Sequence, residues 1–170
     1  MTPRKASTET GFGADLESPR LRQVHQHFGS VRSPRRVVGS AAVFRANKIV
    51  TARMDAVLGE LDLTTARYEL LGLLDNTDGG KQSLGELGRT TLYHPATMTY
   101  TIDGLEKRGL ITRVPDPTDR RAVMAEITAA GRKLVRQATK LLDQIDWGLS
   151  ELSEGEATTL AILLSKIHPA

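Results

Sequence analysis

The sequence predicts a mainly α fold carrying one small β-hairpin (α+β). Three observations lead there. Apolar residues recur at spacings of three and four along several segments after residue 36. One stretch breaks that rhythm: Leu110–Val114 and Arg121–Ile127 read as two strands around the turn PDPTD. Proline, glycine and Ser/Thr caps fall where helices need to start and stop.

In chain order, residues 1–20 are rich in Thr, Gly, Ser and Pro and read as a disordered tail. Leu21–Phe28 suits a short helix, broken by SVRSPRR, with Pro34 placed just before the next one. A long helix follows over Val37–Leu58, with Val38, Ala42, Ile49, Ala52 and Val57 as an imperfect apolar stripe and Gly59 and Asp62 as its bounds. The next helix, Thr65–Leu74, has a wide apolar face of Leu70, Leu71, Leu73 and Leu74 and ends before Gly79-Gly80. Ser83–Thr90 opens with Ser83 three residues before Glu86, a spacing that lets hydroxyl and carboxylate satisfy free amides; Leu84 and Leu87 point inward. After the short turn TTLYH, Pro95 takes a first helical position, where its missing N–H costs nothing. That helix runs to about Arg108 with Met98, Ile102 and Leu105 on one face, and Gly109 stops it. Beyond the hairpin, Thr128 caps a long helix running through Gly131 toward Trp147. A last helix starts near Ser153, with Glu156 three residues on, and carries Leu160, Leu163, Leu164 and Ile167. No internal repeat is visible.

Composition narrows the function. The chain has 170 residues, 39% of them hydrophobic and 4% aromatic, so one aliphatic core is expected. It has no cysteine, which excludes disulfides, thiolate chemistry, cysteine-ligated zinc and thiol-based redox sensing. No apolar run is long enough to span a membrane, and MTPRKASTET lacks the apolar region of a signal peptide, so a cytoplasmic location is expected. The net charge is +3. It is unevenly spread: Arg20, Arg22, Arg32, Arg35, Arg36, Arg45, Lys48 and Arg53 follow one another with no Asp or Glu between them. Such a block attracts phosphate, or it is a solubilising tail joined to one polar helix face.

The stretch 95–127 carries the most chemistry. With Met98, Ile102 and Leu105 turned inward, Thr97, Thr99, Tyr100 and Thr101 are left as polar, groove-side residues near the helix start. Hydroxyls bond phosphates or base edges, and a threonine methyl meets a thymine methyl. The positive N-terminal end of the helix favours phosphate, and His94 stands beside it. In the hairpin, Asp116 and Asp119 flank the turn and Arg120 and Arg121 follow. Alternation sends the two arginines to opposite sides. One can enter a narrow minor groove while the other pairs with Asp116, Asp119 or the body of the domain. A short helix, a turn, a second helix and a basic hairpin together point to double-stranded DNA. A solvated packed helix beside a hairpin with a surface ion-pair cluster is the blander alternative.

These residues resemble the MarR family of transcription regulators. DPTDRRAVMAEITAAGR, residues 116–132, is similar to that family's wing signature, with Ile127 in the usual leucine place. LTTARYELLGLL and SLGELGRTTLYHPATMTYTIDGLEKRGLITR follow its helix-turn-helix in order and spacing, and the resemblance covers roughly residues 37–167. It implies a winged helix-turn-helix fold, dimeric through interlocked N- and C-terminal helices. The implied layout is a dimerisation helix with its extension over 21–62, a DNA-binding lobe over 63–128 and C-terminal dimerisation helices over 129–170. The resemblance also implies a homodimer that binds a palindromic operator, usually as a repressor, and releases it when a small molecule enters a cleft beside the dimer helices. Operator contacts would come from Thr97, Thr99 and Tyr100. Arg120 would be the minor-groove arginine, oriented by Asp119. Gly104 departs from the pattern, standing where many members have arginine, and Tyr100 is larger than usual.

For the effector, the lack of cysteine leaves a small molecule, aromatic or anionic, as the expected signal. Arg45 and Asn47 with Tyr68 and Glu69 are the candidate lining: arginine suits a carboxylate, tyrosine an aromatic ring. A solvated Arg45 and a core or dimer-packing Tyr68 are the plainer reading. His25, His27, His94 and His168 make no convincing metal set, and no nucleophile–base pair or phosphate-binding glycine loop points to an enzyme. No cofactor is expected. The alternatives to a ligand-responsive repressor are a DNA-binding activator or nucleoid-associated protein without an effector, and an interaction module that has lost DNA binding.

Overall fold

The computed structural model of the chain describes residues 26, 34–116 and 122–169. The tail over 1–20, all but Gln26 of the short helix expected at 21–28, and the wing residues Asp119, Arg120 and Arg121 lie outside the described residues. The chain divides into two units, 1–48 and 49–170. Helix α1, Pro34–Leu58, begins in the first and ends in the second. Of its expected stripe, Val38 is buried and Val57 half-buried, but Ala42, Ile49 and Ala52 are exposed. Phe44 is exposed too, so the apolar residues of α1 do not form one inward stripe.

In the second unit α2 spans Thr65–Asp75, capped by the Thr64 hydroxyl, which accepts from the Arg67 amide. A three-residue strand β1, Lys81–Ser83, leads into α3, Leu84–Thr91, where Ser83 accepts from the Glu86 amide. Then come α4, Pro95–Lys107, β2, Ile111–Pro115, and β3, Val123–Ile127. Helix α5, Ala129–Asp143, is capped by Thr128, and α6, Glu154–Leu164, begins with the full reciprocal cap between Ser153 and Glu156.

The hairpin expected from PDPTD is present, with Ile111 opposite Ile127 and Pro115 opposite Val123. The sheet has a third member that periodicity did not reveal. β1 pairs antiparallel with β3, Lys81 opposite Glu126 and Ser83 opposite Met124, giving the order β1-β3-β2. Three residues are too few to show alternation, and the same segment serves as the entry to α3.

The core gathers Leu63 from the loop before α2, Leu70, Leu71 and Leu74 of α2, Leu87 of α3, Met98, Ile102 and Leu105 of α4, Ile111, Ala125 and Ile127 of the sheet, and Val135, Ala138 and Leu142 of α5. Leu58, at the end of α1, joins it. Each fully buried leucine contributes roughly 2 kcal/mol by leaving water. This one cluster holds α4 and the hairpin to both flanking helices, so the core continues past residue 128. Gly131 makes the closest junction: a Cβ there would lie 2.3 Å from the Leu110 carbonyl oxygen and 2.7 Å from Ile127 Cγ1. Only a bare backbone lets the first turn of α5 approach the hairpin this closely.

Candidate nucleic-acid interface

Helix α4 is divided sharply between two faces. Met98, Ile102 and Leu105 are buried, as their spacing requires. Thr97, Thr99 and Tyr100 are exposed, and Tyr100 keeps 72% of its surface in solvent. Thr101 departs from the expectation: it is 3% exposed, and its hydroxyl donates to the Thr97 carbonyl at 2.7 Å. It sits one residue from Ile102 and four from both Thr97 and Leu105, on the border the core claims. A short side chain bonded back to its own helix fits there, and Thr101 is removed from the groove-side set.

The start of α4 is built from its cap. His94 is the N-cap residue, and its Nδ1 accepts from the Ala96 amide at 3.3 Å. Pro95 follows with no N–H to satisfy. His94, Pro95, Ala96 and Thr97 are all exposed, so the first turn and its positive dipole end face solvent. Tyr93, just before the cap, packs against the core and its phenol donates to the Glu69 carboxylate. Burial, then that hydrogen bond, pushes the Tyr93 phenol well above its usual range. The turn is tight enough that Leu92 adopts a left-handed φ of 57° with its side chain exposed.

Arg113 on β2 was missed by sequence reasoning. Its guanidinium reaches back to α4, binding Asp103 at 2.5 Å and also Glu106. The hydrogen bond to Asp103 is the main cause holding Arg113 above its ordinary pKa; burial opposes it and Glu106 adds to it. The clasp ties the base of the hairpin to the second half of α4. A separation of seven and ten residues across a helix end and a strand leaves no motif to read. Arg108 similarly fastens the end of α4 to the carbonyl of Leu61 at 3.0 Å and to Asp62.

Of the wing-supporting acids, Asp116 is half-buried, and its amide donates to the Ala122 carbonyl at 3.2 Å, closing the described end of the hairpin. The expected effector residues divide between the units. Arg45 and Asn47 are exposed on the part of α1 in the first unit. Tyr68 and Glu69, adjacent on α2, point different ways. The Tyr68 hydroxyl bonds Thr139 of α5 at 3.0 Å and its ring lies 5.9 Å from that of Trp147, whereas Glu69 accepts from Tyr93 beside α4. Among the described residues no group of His, Cys, Asp and Glu is arranged to hold a metal, and no helix is long and apolar enough to cross a membrane.

A polar helix face held above a packed core, with a hairpin clasped to its far half, defines a winged helix-turn-helix DNA-binding domain. Comparison with known proteins specifies which kind. The sequence model of the MarR family matches residues 61–122. MhqR, an HTH-type transcriptional regulator of Bacillus subtilis, is 30% identical over 124 residues, 72% of this chain and 84% of that protein. A MarR family transcriptional regulator from Streptomyces coelicolor superposes with a TM-score of 0.69 at 32% identity, over 75% of this chain and 89% of that one. Bordetella bronchiseptica BpsR, in a structure describing regulation of its DNA binding by 6-hydroxynicotinic acid, gives a TM-score of 0.66 at 29% identity, over 75% and 96% of the two chains. The chain belongs to the MarR family. It is a DNA-binding transcription regulator of that family.

Proposed function

We propose that this regulator is a repressor that holds a palindromic operator and lets it go when an aromatic or anionic small molecule binds. The observation that carries the reading is the exposed face of α4, where Thr97, Thr99 and Tyr100 stand clear of the core with His94 at the helix start. These four residues make the major-groove and phosphate contacts. In this reading Arg120 is the arginine of the flanking minor groove, oriented by Asp119, and Arg121, sent to the opposite side by alternation, pairs with Asp116 or the body of the domain. The dimer supplies the second half-site. Its surface is supported by α6, which has no buried residue although Ile162, Leu163 and Leu164 are large and exposed. An apolar helix left this open in one chain is suited to bury itself in a second copy. For the effector, BpsR responds to an aromatic acid. Tyr68, stacked at an angle near Trp147, offers a ring of this chain to such a ligand.

The test uses the full chain and a random duplex pool. Selection should recover an inverted repeat, bound far more tightly than its scrambled counterpart, and Arg120→Ala should weaken that binding by about 1–3 kcal/mol while the protein remains folded and dimeric. A panel of aromatic acids, beginning with 6-hydroxynicotinate, should include one that releases the duplex. Equal affinity for selected and scrambled duplex would remove the operator reading. Retention of DNA against every member of the panel would favour a regulator without an aromatic-acid effector.

A further inference from the structure

Five arginines among the described residues are partly buried: Arg53, Arg67, Arg108, Arg113 and Arg132. Four of them close ion pairs, with Glu151, Asp62, Asp103 and Glu106, and Asp75 respectively. Arg67 is the exception. Its amide serves the cap of α2, but its guanidinium has no hydrogen bond or ion pair among the described residues. A partly desolvated cation without a counter-charge is costly unless an anion arrives in the functional state.

The position of that guanidinium is unusual. It lies across α4 at Gly104, where a Cβ would stand 2.9 Å from one terminal nitrogen and 3.4 Å from the central carbon. Glycine inside a helix costs up to about 1 kcal/mol against alanine. Here it leaves the groove in which the arginine lies. Gly104 follows Tyr100 by four residues and Thr97 by seven, so the cation flanks the same exposed stripe that faces the duplex. On the other flank, Asp103 and Glu106 are already occupied by Arg113 and are not drawn to it.

We propose that Arg67, admitted by Gly104, is a DNA-phosphate contact: it reaches from α2 over the reading helix to the backbone of the strand beside it. The inference rests on α4 being the duplex-facing helix. The role is positional and electrostatic, so it adds affinity on every sequence and selects none. In this reading α2, otherwise a core helix, also takes part in binding.

Wild-type protein, Arg67→Ala, Arg67→Lys and Gly104→Ala are compared by fluorescence anisotropy on two duplexes, one selected by the wild type and one scrambled, across a salt series. Arg67→Ala should lose affinity on both duplexes alike, about eightfold per contact at 0.1 M salt, with the slope of log K against log salt shallower by about 0.9 per contact. Arg67→Lys should recover most of the slope. Gly104→Ala, which pushes only the flexible end of Arg67 and gains helix propensity, should melt no lower than the wild type yet bind both duplexes more weakly. An unchanged affinity and slope for a folded Arg67→Ala overturns the proposal, and so does a loss confined to the selected duplex. Should Arg67→Ala unfold, Arg67→Lys and Gly104→Ala decide: wild-type binding by both overturns it. If the wild type binds no duplex at all, the interface itself fails. Normal wild-type binding beside an indifferent Arg67→Ala fails this proposal alone.

Discussion

Replacing Gly131 with alanine tests the junction on which the hairpin rests. In an open helix the change is favourable by about 1 kcal/mol, because alanine has less backbone freedom to lose. At Gly131 the new methyl would lie 2.3 Å from the Leu110 carbonyl oxygen and 2.7 Å from Ile127 Cγ1. The first of these is backbone and cannot rotate away. The Leu110 carbonyl accepts from the Thr128 amide at 3.0 Å and the Thr128 hydroxyl at 3.1 Å, so moving it loosens the cap of α5 as well. Overpacking costs about 1–3 kcal/mol, and the weakened hydrogen bonds about 1 kcal/mol more. Less the propensity gain, the net loss is about 2 kcal/mol, or a fall in Tm of roughly 4–8 °C. Urea unfolding at fixed protein concentration measures it, with the denaturant slope unchanged. Gly72, in the middle of α2, is the matched control: a Cβ there meets nothing within 4 Å. Gly72→Ala should raise stability by about 1 kcal/mol. The reasoning is refuted if both substitutions shift stability in the same upward direction.

Two other positions give further tests. Leu92 caps α3 with φ 57° and is 69% exposed, so it holds a left-handed backbone with little burial to offset it. Leu92→Gly should gain about 1 kcal/mol, seen as a Tm higher by roughly 2–4 °C, and a lower Tm would show that the side chain packs. Glu151 is held at about 2, below the ordinary 4.5, chiefly by its hydrogen bond from Arg53. Its folded value is depressed, so the stability it lends is complete above 4.5 and disappears as pH falls toward 2. Carboxyl NMR titration should find that low midpoint, and Arg53→Ala should move it up toward 4.5. An unmoved midpoint would contradict the pairing.

The sequence was legible wherever one segment contains its own reason. Pro95 after a turn, Ser153 three residues before Glu156, and Met98, Ile102 and Leu105 at helical spacing each predicted what the structure holds, because cap and core face are properties of consecutive residues. The hairpin was legible for the same reason. β1 was not, since its three residues are a strand only by virtue of β3 beside them. Thr101 was misread because its hydroxyl groups it with Thr97, Thr99 and Tyr100, and polarity alone does not reveal which side of a helix border a short hydroxyl occupies. Arg113 and Asp103 become partners only once β2 folds back along α4.

The apolar pattern of the outer helices makes the complementary argument. Periodicity identifies a buried face when a helix has one neighbour to pack against and solvent on the other side. On α1 the expected stripe fails, with Ala42, Ile49 and Ala52 exposed, and on α6 no residue is buried although its last turns carry Ile162, Leu163 and Leu164. Helices selected to meet a second chain need apolar residues in more directions than one core would ask for, so their pattern blurs. The same reasoning separates the two arginines beside α4. Arg113 finds its carboxylates within the fold, and the fold accounts for it completely. Arg67 is held as closely but has no counter-charge among the described residues, the place that the proposed DNA phosphate fills.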